Sequence, residues 1–417
     1  MPPTTAHLRA PGTDGPGLPA RAGVLGAASL TLMAGALIAP ALPAMSASFG
    51  ADSETTVRLA LTITSLTIAV GAPLAGLVVD RAGARSVLVT ALALYAASGT
   101  AGLYVTGLPQ LLATRAVLGL AVGAVTTAVT ALLTTWFTGG RRAAYLGYQQ
   151  AFASLGGVVL LPLAGILAGA GWRTPFWLYA AAAPLALLVL GFTRARPVAA
   201  RSDDDAPVAA PAPRAALRTA GVYLVALTAT TVFYMAPTQV PFLLDDYAAP
   251  PAVVGVAVAA STLTGLLGAL AFRRVRAHVP SSLLTASSIG VLGAGWLLVG
   301  LAGSTAGVIA GLLVGGVGVG LVVPNLNLRL GELARPDQRG RVLAGLVSAI
   351  FLGQFVSPVV AGPLIGAVGI AGAFVWAGLG TVAAALLGAA VTRPRHAAGR
   401  TAGPVGHLAG TNERTAR

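Results

Sequence analysis

The sequence predicts an all-α membrane protein of twelve transmembrane helices, arranged as two pseudo-symmetric six-helix bundles. Three observations predict it. Hydrophobic residues fill 56% of the 417 positions, with a mean hydropathy of +0.83, above the roughly 45–50% apolar usage of a soluble domain. The apolar residues gather into runs of about 20, the length that crosses a ~30 Å hydrocarbon core. Short glycine and proline patterns also recur in the two halves of the chain. Runs this long are read as helices, because in lipid a helix satisfies its own backbone groups one segment at a time and barrel strands are far shorter.

The first run, 22–45, contains "APALPAMSA", whose small residues imitate a signal-peptide cleavage site. The run exceeds a usual h-region and is read as a retained helix. The second, 55–79, is closed by the charged stretch of "GLVVDRAGAR", and 86–107 follows it. Run 109–136 ends at a basic loop, 143–169 carries "GGVVLLPLAG", and 172–192 begins inside "GWRTPFWL". Residues 193–219, "TRARPVAARSDDDAPVAAPAPRAALRT", are Pro/Ala-rich and polar and read as a linker. The second set is 220–243, 252–272, 281–302, 305–328, 342–367 and 370–391, with "RGRVLAG" leading into the eleventh run. The organisation is therefore a tail at 1–20, a bundle at 21–192, the linker, a bundle at 220–392 and a tail at 393–417.

Charge placement agrees. All 26 basic residues are arginine, and with both termini in the cytoplasm 23 of them lie on the inside, leaving only Arg58 and Arg173 outside and Arg115 within a span. That skew is the positive-inside pattern, and it places the chain in the cell (inner) membrane with both termini cytoplasmic. The net charge of +14 follows from topology and from contact with anionic lipid. A nucleic-acid interface would need a clustered basic face, and here the arginines are dispersed over every inner loop. The absence of lysine excludes a Walker A motif and a Schiff-base lysine; the absence of cysteine excludes a thiol nucleophile, a thiolate metal site and a disulfide. The four histidines, at 7, 278, 396 and 407, lie in tails or an inner loop and suit neither a triad nor a metal, so no cofactor is expected. An enzyme would need a clustered acid/base or metal constellation at one membrane face. Only Asp203 to Asp205 cluster, on the linker.

The two halves repeat one another. Arg115, Gly119 and Gly123 form RxxxGxxxG, and an offset of 192 carries the two glycines onto Gly311 and Gly315. Pro162 and Pro358 are 196 apart, each within a Gly-rich run. Two parallel six-helix repeats form a transporter architecture, with the substrate path between the halves. The glycine-rich "GGVGVGLVVP" of the tenth run has no strand before it and reads as close helix packing rather than a nucleotide loop.

These motifs resemble the major facilitator superfamily over essentially all of residues 20–393. "GLVVDRAGAR" looks like that family's signature loop between helices two and three, through Gly76, Asp80, Arg81, Gly83 and Arg85, with Ala84 at one usual basic position. RxxxGxxxG at Arg115 is similar to the fourth-helix motif of its proton-coupled members. "GVVLLPLAG" resembles the fifth-helix motif of its exporters through Gly157, Pro162 and Gly165, with Leu161 and Ile166 where that motif has glycine. The resemblance implies alternating access, with helices one, four, seven and ten lining the cavity.

Candidate functional residues follow. Asp80 stands where helix two leaves the membrane, opposite the positive end of helix eleven near Val342, and is expected to latch the halves shut on the inside. Gly76 and Gly83 are expected to allow close backbone packing there. Arg115 is the one charge well inside a span, where a cation costs ~2.5–3.5 kcal/mol to insert. For cargo, helix seven offers Thr230, Tyr234 and Thr238 at helical spacing and then Gln239, with Pro237 and Pro241 loosening the helix. Asn325 and Asn327 in helix ten, Gln149 and Gln150 in helix five and Gln354 in helix eleven add amides, each of which can equally serve as interhelical glue. A mostly apolar lining suits an amphiphilic small molecule. The leading expectation is a monomeric secondary transporter in the lipid bilayer that exports a drug or other small organic compound, with protons as the coupling ion. The alternatives are an importer of a small organic solute on the same fold and a non-transporting membrane sensor or enzyme.

Overall fold

The computed structural model describes residues 16–32, 34–50, 53–193, 213–335 and 338–392. The tail at 393–417, most of the tail at 1–20 and most of the 193–219 linker lie outside the described residues.

Among the described residues, ten helices are long and apolar enough to cross a membrane: Glu54–Ala82, Ala84–Leu103, Leu108–Trp136, Gly139–Ala168, Thr174–Phe192, Ala216–Asp245, Pro251–His278, Ser281–Leu301, Thr305–Leu333 and Arg339–Val391. The last contains Gly369 at φ 74°, which turns the chain between two spans. The first crossing is in pieces: a helix Leu18–Ser29, a turn, a 3₁₀ segment Ala36–Ala41 and a helix Leu42–Phe49. Resolving the bent helix into two and adding the broken crossing gives the expected twelve spans.

The single helix expected over 22–45 is thus corrected to a broken one. Pro40 lacks an N–H and its ring clashes with the carbonyl four residues back, so the α-helix cannot run through Ala36. The seventh span breaks for the same reason. Pro237 stands four residues after Phe233, and the helix Pro213–Phe233 stops there before Met235–Asp245 resumes. The freed carbonyls are taken up by aromatic side chains of the third and ninth spans. Tyr95 Oη donates to the Leu30 carbonyl at 3.0 Å, and Trp296 Nε1 donates to the Val232 carbonyl at 2.8 Å.

The internal repeat is therefore three-dimensional, and its glycines fix the register. A Cβ on Gly119 would stand 1.9 Å from Thr67 Oγ1 and 2.3 Å from the Thr64 carbonyl; one on Gly316 would stand 2.2 Å from both Thr264 Oγ1 and the Ser261 carbonyl. Gly123 against Ala72 is likewise matched by Gly320 against Gly265. The offset of Gly119 to Gly316, Thr64 to Ser261 and Thr67 to Thr264 is 197 in every case. The offset of 192 onto Gly311 and Gly315 is corrected accordingly. Those two glycines belong to another face of the tenth span and meet Gly295, Trp296 and Val299 of the ninth. Span ten carries glycines at four-residue spacing on two faces, and the sequence alone did not say which pair was the partner of Gly119 and Gly123.

The two halves meet along seams that run from mid-membrane to the side away from Leu18 and Thr392, here called the far side. Gly165 of span five packs on Pro251, Ala252 and Gly255 of span eight. Ala36, Leu161, Val258 and Ala259 form an apolar cluster shared by both halves. Arg58 of span two lies 4.3 Å over the ring of Phe242 of span seven, and Ser65 of span two bonds Gln354 of span eleven. The far side is closed.

Candidate functional site

On the tail side, the signature stretch forms the turn between spans two and three. Gly83 has φ 82°, a left-handed conformation that favours glycine. Gly76 corrects an expectation: a Cβ there would meet nothing within 4 Å, so it does not serve close backbone packing. Asp80 and Arg81 are exposed at the end of span two. Arg85 donates to the Leu190 carbonyl at 2.6 Å. A cation thus caps the C-terminal end of span six, where the helix dipole is negative, and ties it to span three.

Arg115 is fully buried in the first bundle, at 0% exposure. One terminal nitrogen donates to the carbonyls of Ser98 and Gly99, both at 3.0 Å, where span three ends. Its guanidinium lies 4.9 Å from the ring centres of Phe176 and Tyr179. Tyr179 in turn donates through its hydroxyl to the Ala34 carbonyl, at 2.6 Å. Arg115 therefore bears on the break in the first span through one intermediate side chain. Gly119 and Gly123 follow on the face that meets span two, as described above.

The break faces the second bundle. A Cβ on Gly35 would lie 3.5 Å from Tyr234 Oη, and Tyr234 also interacts with Ser65. Ser65 Oγ donates to Gln354 Oε1 at 2.7 Å. Tyr234, Ser65 and Gln354 thus form a polar cluster at mid-membrane, with groups from both halves. Thr230 and Thr238 are buried but bond the carbonyls of Ala226 and Tyr234 in their own span, at 2.7 and 2.8 Å. Gln239 is different. It is 0% exposed, and neither its amide nitrogen nor its oxygen has a protein partner.

The other amides are spread out. Asn325 donates to the Ser281 carbonyl and to Thr285 Oγ1, both at 2.8 Å, and accepts from Ser281 Oγ at 2.9 Å, which joins spans nine and ten. Its bonds are those of interhelical glue. Asn327 is exposed and donates to its own span's Val323 carbonyl at 3.1 Å. Gln149 bonds Thr130 of span four at 3.0 Å, while Gln150 is exposed. Gly157 is buried in span five, and Pro162 is accommodated there without a break. Among the described residues, no group of three or more His, Asp or Glu could hold a metal.

Sequence reasoning passed over Arg58, Thr62 and Ser65. They recur at i, i+4 and i+7 in span two, the spacing of one helical face, apart from Thr64 and Thr67, which face span four, and that stripe was the available signal. Tyr95 and Tyr179 gave no such signal, since aromatic residues in a span read as ordinary core.

Solved structures similar to this one include transporters. That of the nucleoside transporter NupG superposes with a TM-score of 0.73 at 14% identity, covering 90% of this chain and 100% of that one. A POT family transporter in complex with 5-aminolevulinic acid gives 0.72 at 13% identity, covering 89% and 95%. A D-xylose-proton symporter gives 0.70 at 16% identity, covering 89% and 96%. At such identities the likeness shows the fold alone. The sequence profile described as Major Facilitator Superfamily matches residues 24–328 and 222–410, and between them these span nearly the whole chain. Twelve spans in two repeated halves, a polar cluster between them and this match agree: the chain belongs to the major facilitator superfamily of membrane transporters.

Proposed function

We propose that the protein exports a small organic, largely apolar compound across the cell membrane by alternating access, with protons as the coupling ion. The observation that carries the reading is the cluster between the halves. Tyr234, Ser65 and Gln354 offer neutral hydrogen-bonding groups at mid-membrane, and the acidic residues among those described, Glu54, Asp80, Asp245, Asp246 and Glu332, all stand near span ends. Such a setting suits an amphiphile with one or two polar groups better than a polyhydroxylated solute. Tyr234, Gln239 and Gln354 are the proposed cargo contacts, with Thr230 and Thr238 shaping the broken span and Asn325 joining spans nine and ten. Asp80, Arg81 and Arg85 are the proposed tail-side gate. Export over import rests on the fifth-span motif at Gly157, Pro162 and Gly165. Proton coupling rests on RxxxGxxxG at Arg115.

Efflux of a panel of lipophilic dyes and drugs from cells, with and without a protonophore, tests the reading. Faster loss from expressing cells, cancelled by the protonophore, supports it; faster accumulation makes the protein an importer. Tyr234→Phe removes one hydroxyl and keeps the ring, so it is expected to raise KM about three- to tenfold for cargo with a hydrogen-bonding group, the scale of one net hydrogen bond. An unchanged KM across the panel would take Tyr234 out of the site. Orientation has its own check. A cysteine placed at Ala206 in the linker is expected to resist an impermeant maleimide in intact cells and to react after lysis. The chain's lack of native cysteine makes the readout clean. Labelling from outside would reverse the topology.

A further inference from the structure

Spans two, seven and eleven meet along a seam that reads as a ladder. Its far-side rung is Arg58, 5% exposed, paired with Glu54 in its own helix and lying 4.3 Å over Phe242 of the opposite half. Its mid-membrane rung is Ser65 with Gln354 and Tyr234. Helical spacing fixes what lies between. One turn inward of Arg58 is Thr62, one turn inward of Phe242 is Gln239, and one turn outward of Gln354 is Ser357. Thr62 and Gln239 are 0% exposed and Ser357 is 1% exposed. Thr62 Oγ1, both amide atoms of Gln239 and Ser357 Oγ lack protein partners. Three neighbouring spans thus place unpaired buried groups at one level of the seam between the halves, and Arg58 Nε, also without a protein partner, lies one turn outward of them.

We infer that this seam sets the transporter's resting state by opposing two rungs: Arg58 on Phe242 holds the far side shut, and Thr62, Gln239 and Ser357 drive it open. The physical reason is differential hydration. A guanidinium over an aromatic face is attracted more strongly when water is excluded, so the outer rung favours the closed seam. An unpaired buried amide or hydroxyl loses its water without replacement, and that loss is recovered when the seam parts. The groups of the middle rung therefore favour the open seam. Because they oppose each other, neither state is a deep trap, and cargo binding of ordinary strength can shift the balance. Arg58, Thr62 and Ser357 are in this sense positioning residues for the alternation, and Gln239, a proposed cargo contact, biases the empty transporter in the same way.

The test reads conformation with no cargo present, so its outcome is independent of which compound is carried and in which direction. Spin labels at Ser48→Cys and Asp246→Cys, on exposed far-side positions of opposite halves, report the separation by double electron–electron resonance in lipid nanodiscs. Phe242→Leu keeps apolar bulk and removes the π face; the open, long-distance population is expected to rise several-fold. Gln239→Leu removes the unpaired amide at similar size; the open population is expected to fall on the order of tenfold. Thr62→Val, an isosteric change, is expected to move it in the same direction as Gln239→Leu and by less. Both signs follow from the ladder, and a variant that misfolds leaves the other two to decide. A wild-type distance distribution in Gln239→Leu and Thr62→Val, or a shift towards the open state, overturns the inference. The first result would mean the middle rung is satisfied in both states.

Discussion

Replacing Arg115 with leucine is expected to give a protein that inserts, folds and unfolds thermally much as wild type does, yet has lost gradient-driven transport by tenfold or more. The structure contains its own control for the first half of this claim. In the second bundle the corresponding nook is built without a charge. Leu312 stands 197 residues after Arg115, in the register that the packed glycines set, and lies in one apolar cluster with Val299, Trp296 and Phe374, where Trp296 and Phe374 form an aromatic pair as Tyr95 and Tyr179 do in the first bundle. Leu312, Val299, Trp296 and Phe374 are each 0% exposed, a closed apolar cluster. The aromatic pairs are alike in spacing: Tyr95 and Tyr179 at 5.7 Å, Trp296 and Phe374 at 5.8 Å. The fold is therefore able to fill this position with leucine.

Magnitudes agree with the comparison. A buried arginine costs ~2.5–3.5 kcal/mol on insertion scales, and its two charge-assisted hydrogen bonds return about 1.5–3 kcal/mol each. The bonds alone would exceed that cost, but Arg115 Nε and Nη1 have no hydrogen-bond partner; with their desolvation included the terms are of one size, as they commonly are when a buried charge is exchanged for apolar bulk. Arg115→Ala is a poorer test, because a void adds its own penalty of several kcal/mol. What leucine cannot do is hold Tyr179 through its ring face, and Tyr179 holds the broken first span at Ala34 opposite Tyr234. Proteoliposomes with an imposed pH gradient, set beside substrate exchange with no gradient, separate the roles. Lost accumulation with exchange retained places Arg115 in coupling. Wild-type accumulation in the leucine variant removes it from the mechanism, and an aggregated variant shows that the charge is structural after all.

The span count was legible because lipid permits only one economical answer to a long apolar run, and the turn at Gly369 fell between the eleventh and twelfth runs as the sequence divided them. The break at Tyr234 was half legible, since Pro237 and Pro241 announce a disturbed helix without saying where it yields. The break in the first span was not, although Gly35 and Pro40 are there, because its cause lies partly elsewhere. The carbonyls it frees are met by Tyr95 and Tyr179, which are distant in sequence. The register of the repeat was misread for a comparable reason. A GxxxG pattern specifies a small-residue face, but which neighbour fills it is decided by the packing of whole helices. The polar seam was hidden for a third reason: Thr62, Ser65 and Ser357 are unremarkable hydroxyls in a span until a second span stands opposite them. Sequence reasoning also could not separate glue from contact, and the three bonds of Asn325 against the unpaired amide of Gln239 draw that distinction.

Two glycine substitutions of the same chemical size are expected to have opposite kinds of effect, and the difference tests the alternation itself. Gly119→Ala would drive a methyl group to 1.9 Å from Thr67 Oγ1 and 2.3 Å from the Thr64 carbonyl, inside one bundle. That contact persists in every state of the cycle. Overpacking of this kind costs about 1–3 kcal/mol and more where backbone must move, so folded yield and unfolding temperature are expected to drop. Gly165→Ala drives its methyl to 2.5 Å from the Pro251 carbonyl and 3.0 Å from Ala252 Cα, across the seam between the halves. This clash exists only while the far side is closed, and parting the halves relieves it. Folded yield is expected to stay near wild type, while labels at Ser48 and Asp246 report a far side held open and transport falls tenfold or more because the cycle cannot close. Gly255→Ala, whose methyl would meet the Leu161 carbonyl at 2.5 Å from the other side of the same contact, should reproduce the arrest. If Gly165→Ala instead unfolds the protein as Gly119→Ala does, the two bundles do not move as separate bodies at this contact. If it folds, closes and transports normally, the seam between spans five and eight has more slack than its backbone distances allow.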